Sequence, residues 1–129
     1  MTRAVAAVLV VVAAVPAHAQ SKAEVAQNQA LFRLKCASCH SVACNRVGPK
    51  LEGVIDRPAG SVPDYQYYSS ALKDSGIVWT EDAIDAYVRE PAKKIPGTAM
   101  TSPPMPDARE RRAVLAHIRR QDKSIDLCN

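Results

Sequence analysis

Aromatic side chains are scarce in this chain of 129 residues, which holds one Trp, one Phe and four Tyr. A chain of this length is predicted to form one domain, and its core is small because small domains bury a limited share of their surface. The excess of one sign of charge is small as well, since the chain has 17 basic and 13 acidic residues. This weak basic excess argues against nucleic acid as a partner and suits docking on an acidic protein surface.

The chain has one long apolar run, residues 4–15, which is shorter than the roughly 20 residues that a transmembrane helix needs. Arg3 precedes this run, and a small-x-small motif that ends at Ala19 follows it, as in secretory signal peptides. We therefore predict that residues 1–19 are a signal peptide cleaved after Ala19. The mature protein would be a periplasmic domain over residues 20–129, not embedded in the membrane; an uncleaved membrane anchor is the alternative.

The most informative motif is Cys36-Ala37-Ser38-Cys39-His40. This spacing is typical of c-type haem attachment, because two thiols one helical turn apart can each form a thioether with one porphyrin edge, and the histidine can bind iron. A zinc site would need a second close ligand pair, and a thioredoxin-like thiol pair should follow a strand. We therefore predict one haem c, covalently attached through Cys36 and Cys39, with His40 as the proximal iron ligand.

The two remaining cysteines, Cys44 and Cys128, are far apart in the sequence. In an oxidising compartment spare thiols tend to pair. We therefore predict a disulfide that ties the loop after the haem motif to the C-terminal end of the chain. Two free thiols are the alternative, because a disulfide needs a geometry that the sequence does not reveal.

Hydrophobic periodicity and capping residues predict an all-α chain with about four helices. The first helix should carry an apolar face of alanine and leucine, and the last should keep its five arginines largely outside. An irregular, proline-rich segment, 92–106, should precede the last helix. The predicted helices are 21–35, a short one over 69–74, one between Thr80 and Pro91, and 107–121.

The loops between these helices contain candidate haem contacts. A ligating histidine usually donates its other ring N–H to a carbonyl or carboxylate, and the carbonyl of Pro49 is the candidate acceptor for His40. Arg57, Tyr67 and Trp79 carry hydrogen-bond donors that can bind the haem propionates. The alternative for Arg57 is an ordinary solvent-exposed charge.

The second axial ligand of the iron is not determined by the residues alone. Met100 and Met105 both lie in the proline-rich segment, where a stiffened chain can hold a ligand at little entropic cost. Methionine opposite histidine gives an electron-transfer centre with a raised potential. His117 is a third candidate, but its position in the middle of the last helix favours an ordinary packed side chain.

Several segments together form a specific pattern over nearly all of the chain after the predicted signal peptide. They are followed by the closing amphipathic helix. In chain order they are Cys36-Ala37-Ser38-Cys39-His40, Gly48-Pro49-Lys50-Leu51-Glu52-Gly53, Arg57, Gly76-Ile77-Val78-Trp79 and Ile95-Pro96-Gly97-Thr98-Ala99-Met100.

This pattern resembles the class I cytochromes c, the small soluble monohaem proteins of mitochondria and bacteria. The resemblance implies an all-α cytochrome c fold, with helices and ordered loops wrapped around one haem. It implies Met100 as the sixth iron ligand and the Pro49 carbonyl as the partner of the His40 ring. It also implies that Arg57, Tyr67 and Trp79 surround the propionates.

The resemblance further implies a carrier of single electrons that is not an enzyme. The alternative is a haem with a labile sixth ligand that senses gases or reacts with peroxide. We expect a monomer that docks on redox proteins. Its haem edge would be ringed by basic residues: Lys35, Lys50, Lys93 and Lys94.

Two positions differ from the family pattern. Asn28 stands where the family usually has a glycine near Phe32, and His117 stands where an aromatic residue is common. We therefore expect the first and last helices to cross in a modified way.

Overall fold

The computed structural model describes residues 19–128 and contains five helices in this part of the chain. No helix among these residues is long and apolar enough to cross a membrane. All but the last residue of the predicted signal peptide, residues 1–19, lies outside the described range. The helices are α1 (Lys22–Lys35), α2 (Ser70–Lys73), α3 (Glu81–Arg89), α4 (Pro91–Lys94) and α5 (Ala108–Arg120).

The long helices begin where their capping residues predicted. The hydroxyl of Ser21 accepts from the N–H of Glu24, whose carboxylate accepts in turn from the N–H of Ser21, which is a complete capping box. Thr80 caps α3 by accepting from the N–H of Ala83 at 3.1 Å. Asp107 caps α5, and the two helix N–H groups that bind its carboxylate hold its pKa below the usual range.

The prediction of an irregular segment over 92–106 was wrong at its start. Pro91 ends the run of α3 as predicted, but it also begins α4, and the N–H of Ile95 donates to the Pro91 carbonyl at 2.9 Å. Proline is favourable at the first position of a helix, because the N–H that it lacks would have no partner there. The segment that leads to Met100 therefore begins with one helical turn.

The first and last helices pack against each other, as the resemblance implied. Phe32 of α1 is 1% exposed, and the centroid of its ring lies 4.3 Å from that of His117 on α5. His117 is thus a packed core residue. Asn28 is half-buried in α1, so a polar side chain larger than glycine is accommodated in this helix.

The predicted apolar face of α1 was largely wrong. Leu34 is 75% exposed, and the alanines at positions 23, 26 and 30 are exposed as well. The less accessible side of the helix includes Phe32 and the polar Gln29, whose amide donates to the Asp122 carboxylate at 2.7 Å. Alanine favours helices wherever it stands, so its spacing is a poor guide to burial.

The expectation that the arginines of α5 lie outside was wrong for Arg111, which is 7% exposed. Its Nε donates to the Asp85 carboxylate at 2.7 Å, and its Nη1 donates to the carbonyls of Met105 and Pro106 at 3.0 and 2.7 Å. Arg111 lies three residues before the buried Val114, so it shares the inner side of the helix. It is tolerated there because its donors have partners.

The residues after α5 form a C-terminal tail, residues 121–128, that lies against the loop after His40. As predicted, Cys44 and Cys128 are joined by a disulfide, with their Cα atoms 5.9 Å apart. The Nη1 of Arg46 also donates to the Leu127 carbonyl at 2.6 Å. The tail and the loop are therefore joined by a covalent and a hydrogen bond, although they are distant in sequence.

Candidate haem site

The two motif thiols are held by the turn that ends α1. The N–H groups of Cys39 and His40 both donate to the carbonyl of Cys36, at 3.0 and 2.8 Å, so the motif forms a tight turn. Burial, together with the nearby Cys39, raises the pKa of Cys36 to about 12. A thiol that exchanges disulfides has a lowered pKa. The environment of Cys36 is therefore unlike that of a thioredoxin-type thiol.

The ring of His40 is fixed from two directions. Its Nδ1 lies 2.8 Å from the Pro49 carbonyl, the partner predicted from the sequence. That carbonyl accepts the proton of Nδ1, which leaves Nε2 with a free lone pair for a metal. Burial lowers the pKa of His40 from its ordinary 6.5, against the effect of the carbonyl, so the neutral ring is favoured.

Gly48 makes the second contact with the ring. A Cβ atom built at Gly48 would lie 2.3–2.8 Å from three atoms of the His40 ring, closer than any side chain allows. The contact of Gly48 with the His40 ring could not be recognised from the sequence, because Gly48-Pro49 also has the composition of an ordinary turn. The contact depends on how the loop returns to the motif, and no local sequence signal reports that.

One cavity of about 410 Å³ connects the motif with the other candidate residues. This volume lies in the range of protein sites for small molecules and cofactors. Its described lining includes two charged residues, Lys35 and Arg57, and no carboxylate, which suits a group that carries anionic propionates. Its apolar wall consists mainly of Leu51, Val54, Leu72, Trp79, Ile84, Val88, Val114 and Ile118.

Of the two methionines, the structure brings only Met100 to the cavity. The N–H of Met100 donates to the hydroxyl of Thr98 at 3.2 Å, and that hydroxyl also bonds to the hydroxyl of Tyr87. Met105 is 8% exposed, belongs to the hydrophobic core and does not line the cavity. A thioether on the cavity wall suits an iron ligand, whereas one in the core contributes packing.

The predicted propionate contacts all line the cavity but differ in environment. Arg57 donates through Nη1 to the Glu52 carbonyl at 2.6 Å and through Nη2 to the Lys50 carbonyl at 3.1 Å. Its partial burial lowers its pKa, which a bound anion would counteract. Trp79 is buried with its ring 5.0 Å from that of Tyr87, whereas Tyr67 is 79% exposed.

Tyr68 and Ser69 are among the polar residues of the cavity wall that were not predicted from the sequence. The hydroxyl of Tyr68 accepts from the N–H of Val62 at 3.3 Å, and the two rings of Tyr65 and Tyr68 meet edge to face, 4.8 Å apart. The run of tyrosines was visible in the sequence. Which of them faces the cavity depends on the path of a loop without regular periodicity.

The net positive charge of the predicted basic ring is smaller than its four lysines suggest. Lys35 pairs with Glu110, Lys50 with Asp64, and Lys93 with Glu90, each at 3.1 Å. Of the four lysines, only Lys35 lines the cavity, and Lys94 is simply exposed. Nearby carboxylates therefore reduce the positive field that a partner would meet.

Comparison with known proteins identifies the family. The family model described as Cytochrome c matches residues 25–122, most of the chain. The chain is a member of the cytochrome c family. It is a class I monohaem cytochrome c with the all-α fold of that family.

Individual relatives agree with this. A cytochrome c2 from Rhodoblastus acidophilus is 43% identical over 88 residues, which cover 66% of this cytochrome c and 81% of that protein. A cytochrome c2 from Blastochloris viridis is 38% identical over 107 residues, covering 81% and 80% of the two chains. The solved structure of cytochrome cH from Methylobacterium extorquens superposes with a TM-score of 0.69 at 33% identity, over 74% of this chain and 97% of that chain.

Family membership identifies the cofactor as one haem c, held covalently through Cys36 and Cys39. The structure fits this group in three respects: the paired thiols lie on the edge of a cavity of suitable volume, glycine leaves room beside the His40 ring, and carboxylates are absent from the described lining. This cytochrome c is therefore an electron carrier that works with redox partners.

Proposed function

We propose that this protein is a periplasmic carrier of single electrons whose haem iron is ligated by His40 and Met100. One observation carries the proposal: a single cavity is lined by both haem cysteines, by His40 and by Met100. The bound haem supplies a reversible exchange between Fe(II) and Fe(III). With His40 and Met100 both bound to the iron, no coordination position would be left for a substrate, so the protein would transfer electrons without catalysing a reaction of its own.

Each of the two proposed ligands would tune the iron in its own way. The Pro49 carbonyl holds the proton of His40 on Nδ1, and this raises the basicity of Nε2 toward iron. The thioether of Met100 favours Fe(II) and raises the potential. Arg57, Tyr67 and Trp79 bind the propionates in this proposal, supported by the position of all three on the cavity wall.

The proposed location depends on the N-terminal segment and on the disulfide. Residues 1–19 act as a signal peptide cleaved after Ala19, and residues 20–129 form the mature domain. The disulfide between Cys44 and Cys128 supports an oxidising compartment, because structural disulfides are rare in the cytosol. The mature protein acts as a monomer in brief contacts with a redox donor and acceptor, assisted by Lys35, Lys50, Lys93 and Lys94.

The visible absorption spectrum of the purified holoprotein tests the proposal, with and without carbon monoxide. We expect a low-spin c-type spectrum with a methionine-to-iron charge-transfer band that carbon monoxide does not change. Met100→Ala should lose this band and bind carbon monoxide, because its iron has an open position. Met105→Ala is the matched control: it should keep the band and lose about 2–5 kcal/mol of unfolding free energy.

A different spectrum would identify the competing function. Rapid and complete binding of carbon monoxide by the unmodified, reduced protein would contradict stable ligation by Met100. It would favour a haem with a labile sixth ligand that senses gases or reacts with peroxide. Loss of the charge-transfer band in Met105→Ala but not in Met100→Ala would transfer the ligand role to Met105.

A further inference from the structure

The carboxylate of Asp126, in the C-terminal tail, binds two backbone amides of the loop after His40. The N–H of Val42 donates to Oδ1 at 2.8 Å, and the N–H of Ala43 donates to Oδ2 at 2.7 Å. Both oxygens of one carboxylate are thus used, and the partners are 84 and 83 residues away in sequence. Hydrogen bonds to a charged acceptor are stronger than those between neutral groups.

The first part of the chain segment that Asp126 holds is enclosed. Val42 is 0% exposed and Ser41 before it is 2% exposed, whereas Ala43 is half-buried. Buried N–H groups need partners, so the amide of Val42 above all would carry a desolvation penalty without the carboxylate. Water has poor access to replace the lost acceptor next to Val42.

This segment is joined directly to the residues that follow Pro49. The carbonyl of Ser41 accepts from the N–H of Leu51 at 2.9 Å, and the carbonyl of Val42 accepts from the N–H of Glu52 at 2.8 Å. Val42 therefore binds Asp126 through its N–H and Glu52 through its carbonyl. Val42 thus links Asp126 to Glu52, so a shift of Asp126 would also displace the chain that follows Pro49.

The same loop carries both contacts with the His40 ring. The N–H of Gly48 donates to the Cys39 carbonyl at 2.8 Å, while the Pro49 carbonyl lies 2.8 Å from His40 Nδ1. The loop is thus tied to the motif at Gly48 and to the segment held by Asp126 at Leu51 and Glu52. Pro49 lies between these two attachments, so its carbonyl has little freedom to move away from the ring.

We propose that Asp126 is a positioning residue of the haem site, which holds the Pro49 carbonyl on His40 Nδ1 and thereby sets the basicity of the proximal ligand. The inference rests on the proposed ligation of iron by His40. The disulfide between Cys44 and Cys128 keeps the tail nearby, and the carboxylate fixes the loop in register. The C-terminal tail thus acts on the redox potential from outside the cavity.

The test compares Asp126→Asn with Asp122→Asn in the holoprotein. Asp122 lies in the same tail but bonds to Gln29 and to the N–H of Ser124, away from the His40 loop. In Asp126→Asn the amide offers one neutral acceptor in place of two charged ones. We expect the His40 Nδ1 proton to exchange with solvent about tenfold faster, measured by NMR on the reduced protein, because its partner is less firmly held.

The midpoint potential is the second readout. A weaker bond from Nδ1 makes His40 a less basic ligand, which stabilises Fe(III) less, so Asp126→Asn should have a higher potential than the unmodified protein. Asp122→Asn should match the unmodified protein in exchange and in potential. If Asp126→Asn changes only the melting temperature, with both readouts equal to those of Asp122→Asn, Asp126 has a merely structural role and the proposal is wrong.

Asp126→Glu covers the case in which Asp126→Asn does not fold. Its longer side chain keeps the charge but cannot meet both amides from the same place, and we expect the His40 Nδ1 proton to exchange faster than in the unmodified protein. An exchange rate equal to that of the unmodified protein would contradict the proposal. The spectrum of the unmodified protein is recorded first, so failure of His40 ligation is recognised separately.

Discussion

The two sides of the cavity hold their candidate ligands in different ways. His40 is held by near neighbours, since Gly48 touches its ring and Pro49 accepts its proton. Met100 is followed by a proline-rich stretch, and the next bonds of that loop are at Met105, whose N–H contacts the carbonyls of Val88 and Arg89 at 3.2 Å each. The ring of His40 is itself contacted from two directions, whereas the bonds on the Met100 side are made by the backbone, to Thr98 before it and at Met105 after it. We therefore expect the Met100 side to open first.

Removing the haem, which both sides of the cavity are proposed to bind, should have the largest effect. Cys36→Ala combined with Cys39→Ala abolishes covalent attachment, and we expect a largely unfolded apoprotein because a small core loses the cofactor that fills its cavity. Far-UV circular dichroism and the haem absorption band measure the result. Cys44→Ser with Cys128→Ser is the control and should keep the haem. Native-like helical content in the apoprotein would contradict this expectation.

The second largest effect is expected from Arg111, which binds the loop on the Met100 side of the cavity. Arg111→Gln leaves the Met105 and Pro106 carbonyls and the partly exposed Asp85 with poorer partners, and we expect a loss of about 2–3 kcal/mol of unfolding free energy. Carbon monoxide should also bind the reduced variant faster. The exposed Arg112 provides the control, because Arg112→Gln should change stability by less than about 0.5 kcal/mol. Equal carbon monoxide rates in the two variants would show that Arg111 does not restrain this loop.

The His40 side is tested by Gly48→Ala, with an expected cost of about 1–3 kcal/mol from the added methyl group against the ring. Displacement of the ring should also change the visible spectrum. Gly76→Ala is an informative control: its Cβ meets nothing within 4 Å, but its φ of +65° strains any other residue. That variant should lose stability while its spectrum stays unchanged. A normal spectrum in Gly48→Ala would mean that the loop, and not the His40 ring, shifts to accommodate the methyl group.

The smallest expected effect concerns pH and the helix contact outside the cavity. Burial lowers the pKa of His117 below 6.5, although Asp122 and Asp126 favour its protonated form. The unfolded chain therefore binds this proton more readily, so the stabilisation is complete above pH 6.5 and is lost as the pH falls. We expect the unfolding free energy to fall between pH 7 and pH 5.5 in urea titrations. The pKa of the buried His40 is lowered as well, so His117→Phe should reduce this loss without abolishing it; an equal loss in that variant would assign it to other groups.

Features with local causes were predictable from the sequence. Ser21, Thr80 and Asp107 cap helices because a side-chain oxygen can reach the first free N–H groups, and this requires only neighbouring residues. The pairing of His40 with Pro49 followed likewise from a short loop between them. The haem motif was recognisable because its chemistry depends on spacing alone.

Features that depend on distant partners were not predictable. Arg111 resembles its exposed neighbours until Asp85 and the two loop carbonyls are brought to it by packing. Residue chemistry alone did not distinguish Met100 from Met105; the family resemblance favoured Met100, and the path of the loop places Met100 on the cavity wall and Met105 in the core. Asp126 carried no signal, because its partners are more than 80 residues away.

The disulfide imposes an order on biosynthesis. Its two cysteines are 84 residues apart, so it closes only after Cys128 has been delivered, whereas both haem cysteines precede Cys44 in the chain. Four free thiols in an oxidising compartment can pair in more than one way. Haem attachment before oxidation consumes Cys36 and Cys39 and leaves only the native pair. In this chain, attachment of haem before oxidation would thus prevent Cys36 and Cys39 from forming wrong disulfides with Cys44 or Cys128.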